Sequence, residues 1–415
     1  MAESGGTSLD KSKIKVLLLE SIHQSAVDAF RADGYTDLER HPGALSEHEL
    51  AGRLAGVHIL GIRSRTDVTE RALAGADKLM VIGCFSIGTD RVDLDAAEAR
   101  GIPVFNAPFS NTRSVAELVV AEVVILCRGV PERSAAAHRG RWLKSVGSST
   151  EVRGKTLGVV GYGHIGTQVG VLAEALGMRV LYYDVETKLA LGNASPIASL
   201  DELLAHSDVV TLHVPETPRT ARMIGPAQLA RLRPGARLIN ASRGSVVDID
   251  ALAAALRSGH LAGAAIDVFP QEPGSDAEEF SSPLRGLDNV ILTPHIGGST
   301  LEAQQSIGTE VAAKLLRYSN NGSTATAVNF PEVALPEHAG KHRILHIHRN
   351  EPGMLAQVNA ALAAARINIA SQYLETDRRI GYAVIDIDGA ERPVSAALRR
   401  ALDAIDGTIR TRILY

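Results

Sequence analysis

Short apolar runs rich in branched residues alternate along this chain with stretches whose apolar positions recur every three or four residues. The runs predict strands and the periodic stretches predict helices. Lys15 to Leu19 is one run, with a helical pattern after it, and Val57 to Ile62 and Leu79 to Gly83 are others. Helical patterns at Thr69 to Ala74 and Leu94 to Arg100 separate them, so a small parallel α/β sheet is expected here. Ala116 to Cys127 reads as a long apolar helix, buried on several sides or at a subunit contact.

The alternation then continues at the same pace. Strands are expected at Leu157 to Val160, Val180 to Tyr183, Val209 to Leu212, Arg237 to Ile239, Ala264 to Ile266 and Val290 to Leu292. Helices are expected at Ile165 to Leu176, Leu200 to Ala205 and Asp250 to Arg257. This order predicts a doubly wound parallel sheet of the Rossmann type. The Glu302 to Tyr318 helix returns to the first domain, and a turn-rich break follows from Ser319 to Pro336. Beyond it the pattern is strand, helix, two strands, helix, strand, which is the ferredoxin-like βαββαβ plan. The expected division is a flexible tail over 1–12, a first α/β domain of 13–109 with 300–330, and a second of 110–299. A linker over 331–340 and a C-terminal domain of 341–415 complete it.

At the second domain's first turn the sequence reads Gly161-Tyr162-Gly163-His164-Ile165-Gly166. Gly161 permits a tight turn, Gly163 lets a pyrophosphate approach the backbone, and Gly166 lets helix and strand pack closely. Free N–H groups and the helix dipole there suit a pyrophosphate, with His164 and Ile165 at the helix start. Asp184, at the end of the next strand, would accept from the ribose hydroxyls of NAD and repel the 2′-phosphate of NADP.

Arg243, Glu272 and His295 each follow a strand of the same sheet, where loops face the ligand crevice. Taken singly they read as a surface cation, a solvated turn and a structural histidine. Together they suit oxidation of a 2-hydroxy acid. Histidine can take the hydroxyl proton near neutral pH. A carboxylate beside it fixes its tautomer and favours the protonated ring. The guanidinium pairs with the substrate carboxylate.

Composition narrows the class further. The chain has 415 residues, 45% hydrophobic and 22% charged, which fits two to three globular domains. A net charge of −4 leaves no electrostatic footprint for nucleic acid. No apolar run reaches bilayer length, and Met1 to Lys13 lacks an apolar signal core. Cys84 and Cys127 lie in apolar stretches and read as buried thiols in a reducing cytoplasm. No metal is called for.

With Asn240-Ala241-Ser242-Arg243-Gly244 and Thr293-Pro294-His295-Ile296-Gly297-Gly298, the glycine loop makes the chain resemble the D-isomer-specific 2-hydroxyacid dehydrogenase family. The resemblance covers nearly everything beyond the first dozen residues. It implies that Arg243 clamps substrate, Glu272 orients, and His295 is the acid–base. It also implies that Asp267 meets the nicotinamide amide and that Ala241, Ser242, Gly297 and Gly298 line the cofactor. The first domain becomes a flavodoxin-like substrate domain. Arg63 and Ser64 match the family's substrate-phosphate loop, Asn111 a substrate-site asparagine, and Trp142 and Lys144 a segment reaching a neighbouring subunit's site. Leu143 stands between them where a polar residue is expected.

The tail resembles an ACT domain through His348-Arg349-Asn350-Glu351-Pro352-Gly353, Ile367-Asn368-Ile369-Ala370-Ser371 and the closing Thr411 to Tyr415. By that resemblance His348, Asn350 and Asn368 bind L-serine across a pair of such domains. The entry to the domain has Ala339-Gly340 where relatives often carry two glycines. The implied activity is NAD-dependent oxidation of 3-phospho-D-glycerate to 3-phosphooxypyruvate by a homotetramer inhibited by serine, with 2-oxoglutarate reduction as a side activity. A dehydrogenase of another D-2-hydroxy acid such as glycerate, or an NAD(H)-sensing corepressor-like binding protein, stands as the alternative.

Overall fold

The first apolar runs form parallel strands in a computed structural model that describes residues 10–145, 147, 149–273, 278–336, 342–388 and 392–414. The described chain divides into two units, Met1–Ser110 with Gln304–Tyr415, and Asn111–Ala303. The first unit opens with β1 (Val16–Leu18), α1 (Gln24–Ala32), β2 (Leu38–Arg40), α2 (Glu47–Arg53) and β3 (Ile59–Ile62). It continues with α3 (Glu70–Leu73), β4 (Val81–Cys84), α4 (Leu94–Ala99) and β5 (Val104–Phe105). The strand order β2-β1-β3-β4-β5, all parallel, is the flavodoxin-like order. β1, β3 and β4 are buried along their whole length, as strands covered on both faces must be. Ser46 and Glu49 close a capping box that starts α2.

The second unit holds α5 (Thr112–Arg128), α6 (Val130–His138), β6 (Thr156–Val160), α7 (His164–Ala175), β7 (Arg179–Tyr183), β8 (Ser195–Pro196) and α8 (Leu200–His206). After these come β9 (Val209–Leu212), α9 (Pro226–Arg231), β10 (Ala236–Asn240), α10 (Ile249–Arg257), β11 (Leu261–Ile266) and β12 (Val290–Leu292). The order β12-β11-β10-β9-β6-β7-β8 is that of a doubly wound sheet, and chain direction across the sheet reverses between β6 and β9. α5 packs on β10 and β11 through Val115, Val119, Val123 and Leu126. It ends at Gly129, whose φ of 59° is a left-handed stop.

The chain then returns to the first unit with α11 (Leu301–Asn321), most of which lies in it. Val311 and Leu315 of that helix fill the face of β4 that Gly83 leaves open. β13 (His342–Arg349), α12 (Met354–Ala364), β14 (Ile369–Thr376), β15 (Ile380–Ile387), α13 (Arg392–Asp403) and β16 (Thr408–Leu414) complete it. Their antiparallel order β14-β15-β13-β16 is the ferredoxin-like arrangement. One face of this sheet packs Ile344, Ile385 and Ile387 on Val358, Leu362 and Leu398. Its other face buries Leu345, Ile347 and Tyr382 against Phe330 and Val333 of the segment after α11. That segment, expected as a break, is therefore packed chain. Arg343, fully buried, pairs with Asp386 at 2.6 Å and donates to the carbonyls of Asn321 and Pro336.

Residues 1–9 of the expected tail lie outside the described residues, as do Ala339, Gly340 and the closing Tyr415. Asp10 caps a 3₁₀ turn at Lys11–Lys13, and Lys11 pairs with Asp33 at 2.9 Å. Among the described residues no helix is long and apolar enough to cross a membrane. Cys84 and Cys127 are both free and buried, and burial pushes the Cys84 thiol up to about 12.

Candidate active site

Three neighbouring strands of the second unit end in turns that are tied together by their own side chains. Asn240, the last residue of β10, is fully buried. Its Oδ1 accepts from the Ser242 N–H at 3.1 Å and the Ser242 hydroxyl at 2.8 Å, and its Nδ2 donates to the Arg243 carbonyl at 3.0 Å. This knot presents Arg243, half-buried, at the strand end. Gly244 lies so close to Phe269 that a Cβ there would meet the Phe269 carbonyl carbon at 2.0 Å, which locks this turn to the one after β11.

Asp267, just past β11, is 2% exposed. Its oxygens accept from the Thr293 hydroxyl at 2.7 Å and the N–H groups of Ile296 at 2.8 Å and Gly297 at 2.9 Å. Asp267, expected at the cofactor's amide, thus builds the turn that carries His295. His295 has a φ of 54°, uncommon for a side-chain-bearing residue and held here by these bonds. Its Nδ1 lies 2.9 Å from Glu272 Oε2, while Glu272 Oε1 accepts from the Phe269 N–H at 3.2 Å. The Glu272 carboxylate raises the imidazole pKa above its ordinary value against the opposing effect of burial, and Arg243 works the other way. A ring that donates Nδ1–H to a carboxylate presents Nε2 as its acceptor. The side chain is 51% exposed.

The glycine loop occupies the sheet's switch point. Gly161 has a φ of 89°, and a Cβ there would meet the His213 carbonyl oxygen at 2.3 Å. At Gly166 an added Cβ would strike the Gly161 carbonyl at 2.1 Å, whereas at Gly163 it would meet nothing within 4 Å. Two glycines are thus required by the protein's own packing, and the third faces open space. α7 starts at His164 with no side-chain cap, so its dipole end is not closed off by the protein. Asp184 accepts from the Tyr162 N–H at 2.8 Å and from Glu186 at 2.9 Å, which fixes its half-buried carboxylate beside the loop. Ile165 and Ala241 are half-buried and Ser242 is buried. These residues fit a dinucleotide.

Asn111, at the start of α5, lies against Gly298, and its Oδ1 is buried with no hydrogen-bond partner among the described residues. Trp142 is 84% exposed and Lys144 is exposed, both in irregular chain after α6. In the first unit, Arg63 is half-buried and Ser64 exposed in the turn after β3. Residue reading missed the turn builders: Asn240, Asp267 in that role, and Glu20, whose carboxylate lies beneath residues 63–66. Asn240 ends an apolar run and Asp267 follows one, and that position was the available signal for those two.

The three residues expected at an effector site are not brought together within one chain. His348 is 3% exposed, its Nδ1 3.3 Å from that of His346, and burial lowers its pKa. Asn350 lies by Asp377 at one end of the sheet, and Asn368 by Asp388 at the other. β15 runs between those ends, which at strand rise is roughly 25 Å.

The described geometry has known counterparts. Residues 120–297 match the family model for the D-isomer specific 2-hydroxyacid dehydrogenase NAD binding domain, and residues 344–410 match an AHAS small subunit-like ACT domain. The chain is 59% identical to D-3-phosphoglycerate dehydrogenase of Escherichia coli (strain K12), over 98% of this chain and 99% of that protein. It is 48% identical to the D-3-phosphoglycerate dehydrogenase of Dictyostelium discoideum, over 99% of each. The solved D-lactate dehydrogenase from Aquifex aeolicus, complexed with NAD and lactic acid, matches with a TM-score of 0.67 at 29% identity, covering 77% of this chain and 100% of that one.

Proposed function

Since this chain belongs to the D-isomer-specific 2-hydroxyacid dehydrogenase family, we propose that it oxidises 3-phospho-D-glycerate to 3-phosphooxypyruvate with NAD, the step that opens serine synthesis. The observation that carries the reading is the His295–Glu272 pair at 2.9 Å, on turns adjoining the one that presents Arg243. NAD, when bound, supplies the hydride acceptor. The protein's part is acid–base and electrostatic. His295 Nε2 takes the C2 hydroxyl proton while Glu272 holds the Nδ1–H tautomer and stabilises the imidazolium. Arg243 pairs with the substrate carboxylate and polarises the developing ketone. Arg63 and Ser64 receive the phosphate, and Asn111 contributes to the substrate site. Gly161, Gly163, Gly166, His164 and Ile165 hold the pyrophosphate, and Asp184 holds the ribose of NAD. Reduction of 2-oxoglutarate follows as a side activity, because that substrate also carries a second anion.

The C-terminal domain is a regulator in this reading. Asn350 and Asn368 stand at opposite ends of one sheet, so an L-serine site needs two such domains side by side. Trp142, exposed on the second unit, suits contact with another copy, and together these favour a homotetramer in a reducing cytoplasm. Steady-state formation of NADH from 3-phosphoglycerate, with and without L-serine, tests the proposal. Turnover that serine suppresses supports it. Equal turnover of D-glycerate would favour a dehydrogenase of unphosphorylated acids. Folded protein that binds NADH without turnover would favour a corepressor-like sensor.

A further inference from the structure

Glu20 follows β1 by two residues, is 7% exposed, and points beneath the turn after β3. Oε1 accepts from the N–H groups of Arg63 at 3.3 Å and Thr66 at 2.9 Å, and Oε2 from those of Ser64 and Arg65, both at 3.0 Å. Four consecutive backbone donors therefore close around one carboxylate. Glu20 and Ser21 sit at φ 59° and 52°, successive left-handed residues that are not glycine. Such a conformation persists only where surrounding structure over-determines it. Here the Glu20 N–H bonds the Gly43 carbonyl at 3.2 Å, the Ser21 N–H that of His41 at 3.3 Å, and Arg63 Nη1 the Glu20 carbonyl at 3.3 Å. From outside, Arg91 donates to the Ser64 carbonyl at 3.1 Å and pairs with Asp67 at 3.1 Å.

A turn of consecutive N–H groups is ordinarily itself an anion cradle. In this protein the cradle is already filled by the chain's own carboxylate. An incoming phosphate must then be recognised by side chains of the turn, whose stems radiate from a fixed backbone. We propose that Glu20 is the positioning residue of the substrate-phosphate site: it fixes the 63–66 turn so that the Arg63, Ser64 and Arg65 side chains, and not the backbone, select the phosphorylated acid. The inference rests on the reading that this turn receives the phosphate.

The test compares full-length Glu20→Gln, Glu20→Asp and Arg63→Ala with the parent, using 3-phosphoglycerate and D-glycerate. Glutamine keeps the size but turns an amide N–H₂ toward two of the four donors. Expected for Glu20→Gln is a KM for 3-phosphoglycerate raised about tenfold or more, kcat falling much less, and a matching drop in the preference for 3-phosphoglycerate over D-glycerate. Glu20→Asp, which keeps the charge on a shorter stem, recovers part of the loss. If Glu20→Gln leaves that preference within twofold while Arg63→Ala abolishes it, the positioning role is overturned and the phosphate reading stands. If Arg63→Ala does not move it, the phosphate reading falls and this inference with it. A Glu20→Gln that lowers kcat/KM equally for both acids shows a merely structural residue and overturns the proposal. Should Glu20→Gln not fold, Glu20→Asp decides alone: a threefold or larger loss of preference supports the role, and less than twofold ends it.

Discussion

Two turns of this protein use their backbone N–H groups in opposite ways. Residues 161–166 follow a buried strand and present glycine backbone and an uncapped helix start, with Gly163 open to whatever arrives. Residues 63–66 also follow a buried strand, yet their N–H groups are turned inward onto Glu20. The first arrangement uses peptide dipoles, which are shared by every dinucleotide cofactor and indifferent to the rest of the ligand. In the proposed reading, the second leaves recognition to guanidinium and hydroxyl groups, which reach further and can be exchanged by mutation without rebuilding the fold. In that proposed reading, a shared cofactor is met by backbone and a particular substrate by side chains.

Substitutions should sort by which constant they move, and the largest effect belongs to neither turn. His295→Asn should cut kcat by about 10² to 10⁴ while the dissociation constant of NADH, measured calorimetrically, stays near that of the parent. A loss confined to KM would break the acid–base assignment. Arg63→Ala should raise the KM for 3-phosphoglycerate by roughly 10- to 100-fold and leave NADH binding alone, since a charge-assisted contact to phosphate is lost. Gly163→Val should do the reverse, weakening NADH binding about tenfold with little change in substrate KM, because a branched side chain fills the open face of the turn. If both variants move both constants, the division between the turns fails.

The mildest test is one of pH. Glu272 holds the His295 pKa above its ordinary value, and with His295 as the proposed base oxidation needs the neutral ring. Activity is therefore lost as pH falls through that raised pKa. Glu272→Gln removes the cause, so the acid limb of kcat/KM should move to lower pH, with a smaller fall in kcat than for His295→Asn. An acid limb that stays in place would assign it to another group.

Much of this was legible because parallel strands covered on both faces are continuous apolar runs, and their ends are easily marked. Gly161, Arg243 and His295 stand out because each adjoins such a run. The edges were harder to read. β2 is Leu-Glu-Arg and β8 is Ser-Pro, too short and polar to show a period, and they exist because an inner strand offers them hydrogen bonds. Glu20 was missed for a different reason. Its four donors begin 43 residues further along the chain, and nothing local distinguishes a carboxylate that organises a distant turn from one that is solvated. Asp267, expected at the cofactor's amide, also bonds to a turn 26 to 30 residues away, a role that nothing local announces. The glycine loop needed no such distant knowledge.

Phe330 and Val333 stand before the first strand of the C-terminal domain but lie within its hydrophobic core, and Arg343 reaches back to the carbonyls of Asn321 and Pro336. The seam between the enzyme body and the ACT-like domain is accordingly not where the strands begin. A truncation made at residue 341 to obtain a catalytic fragment would strand two bare apolar side chains in water, and the excised piece would lack one wall of its interior. Anyone wishing to graft this ACT-like domain onto another enzyme has to carry the chain from about Ser323 onward, or expect two sticky halves.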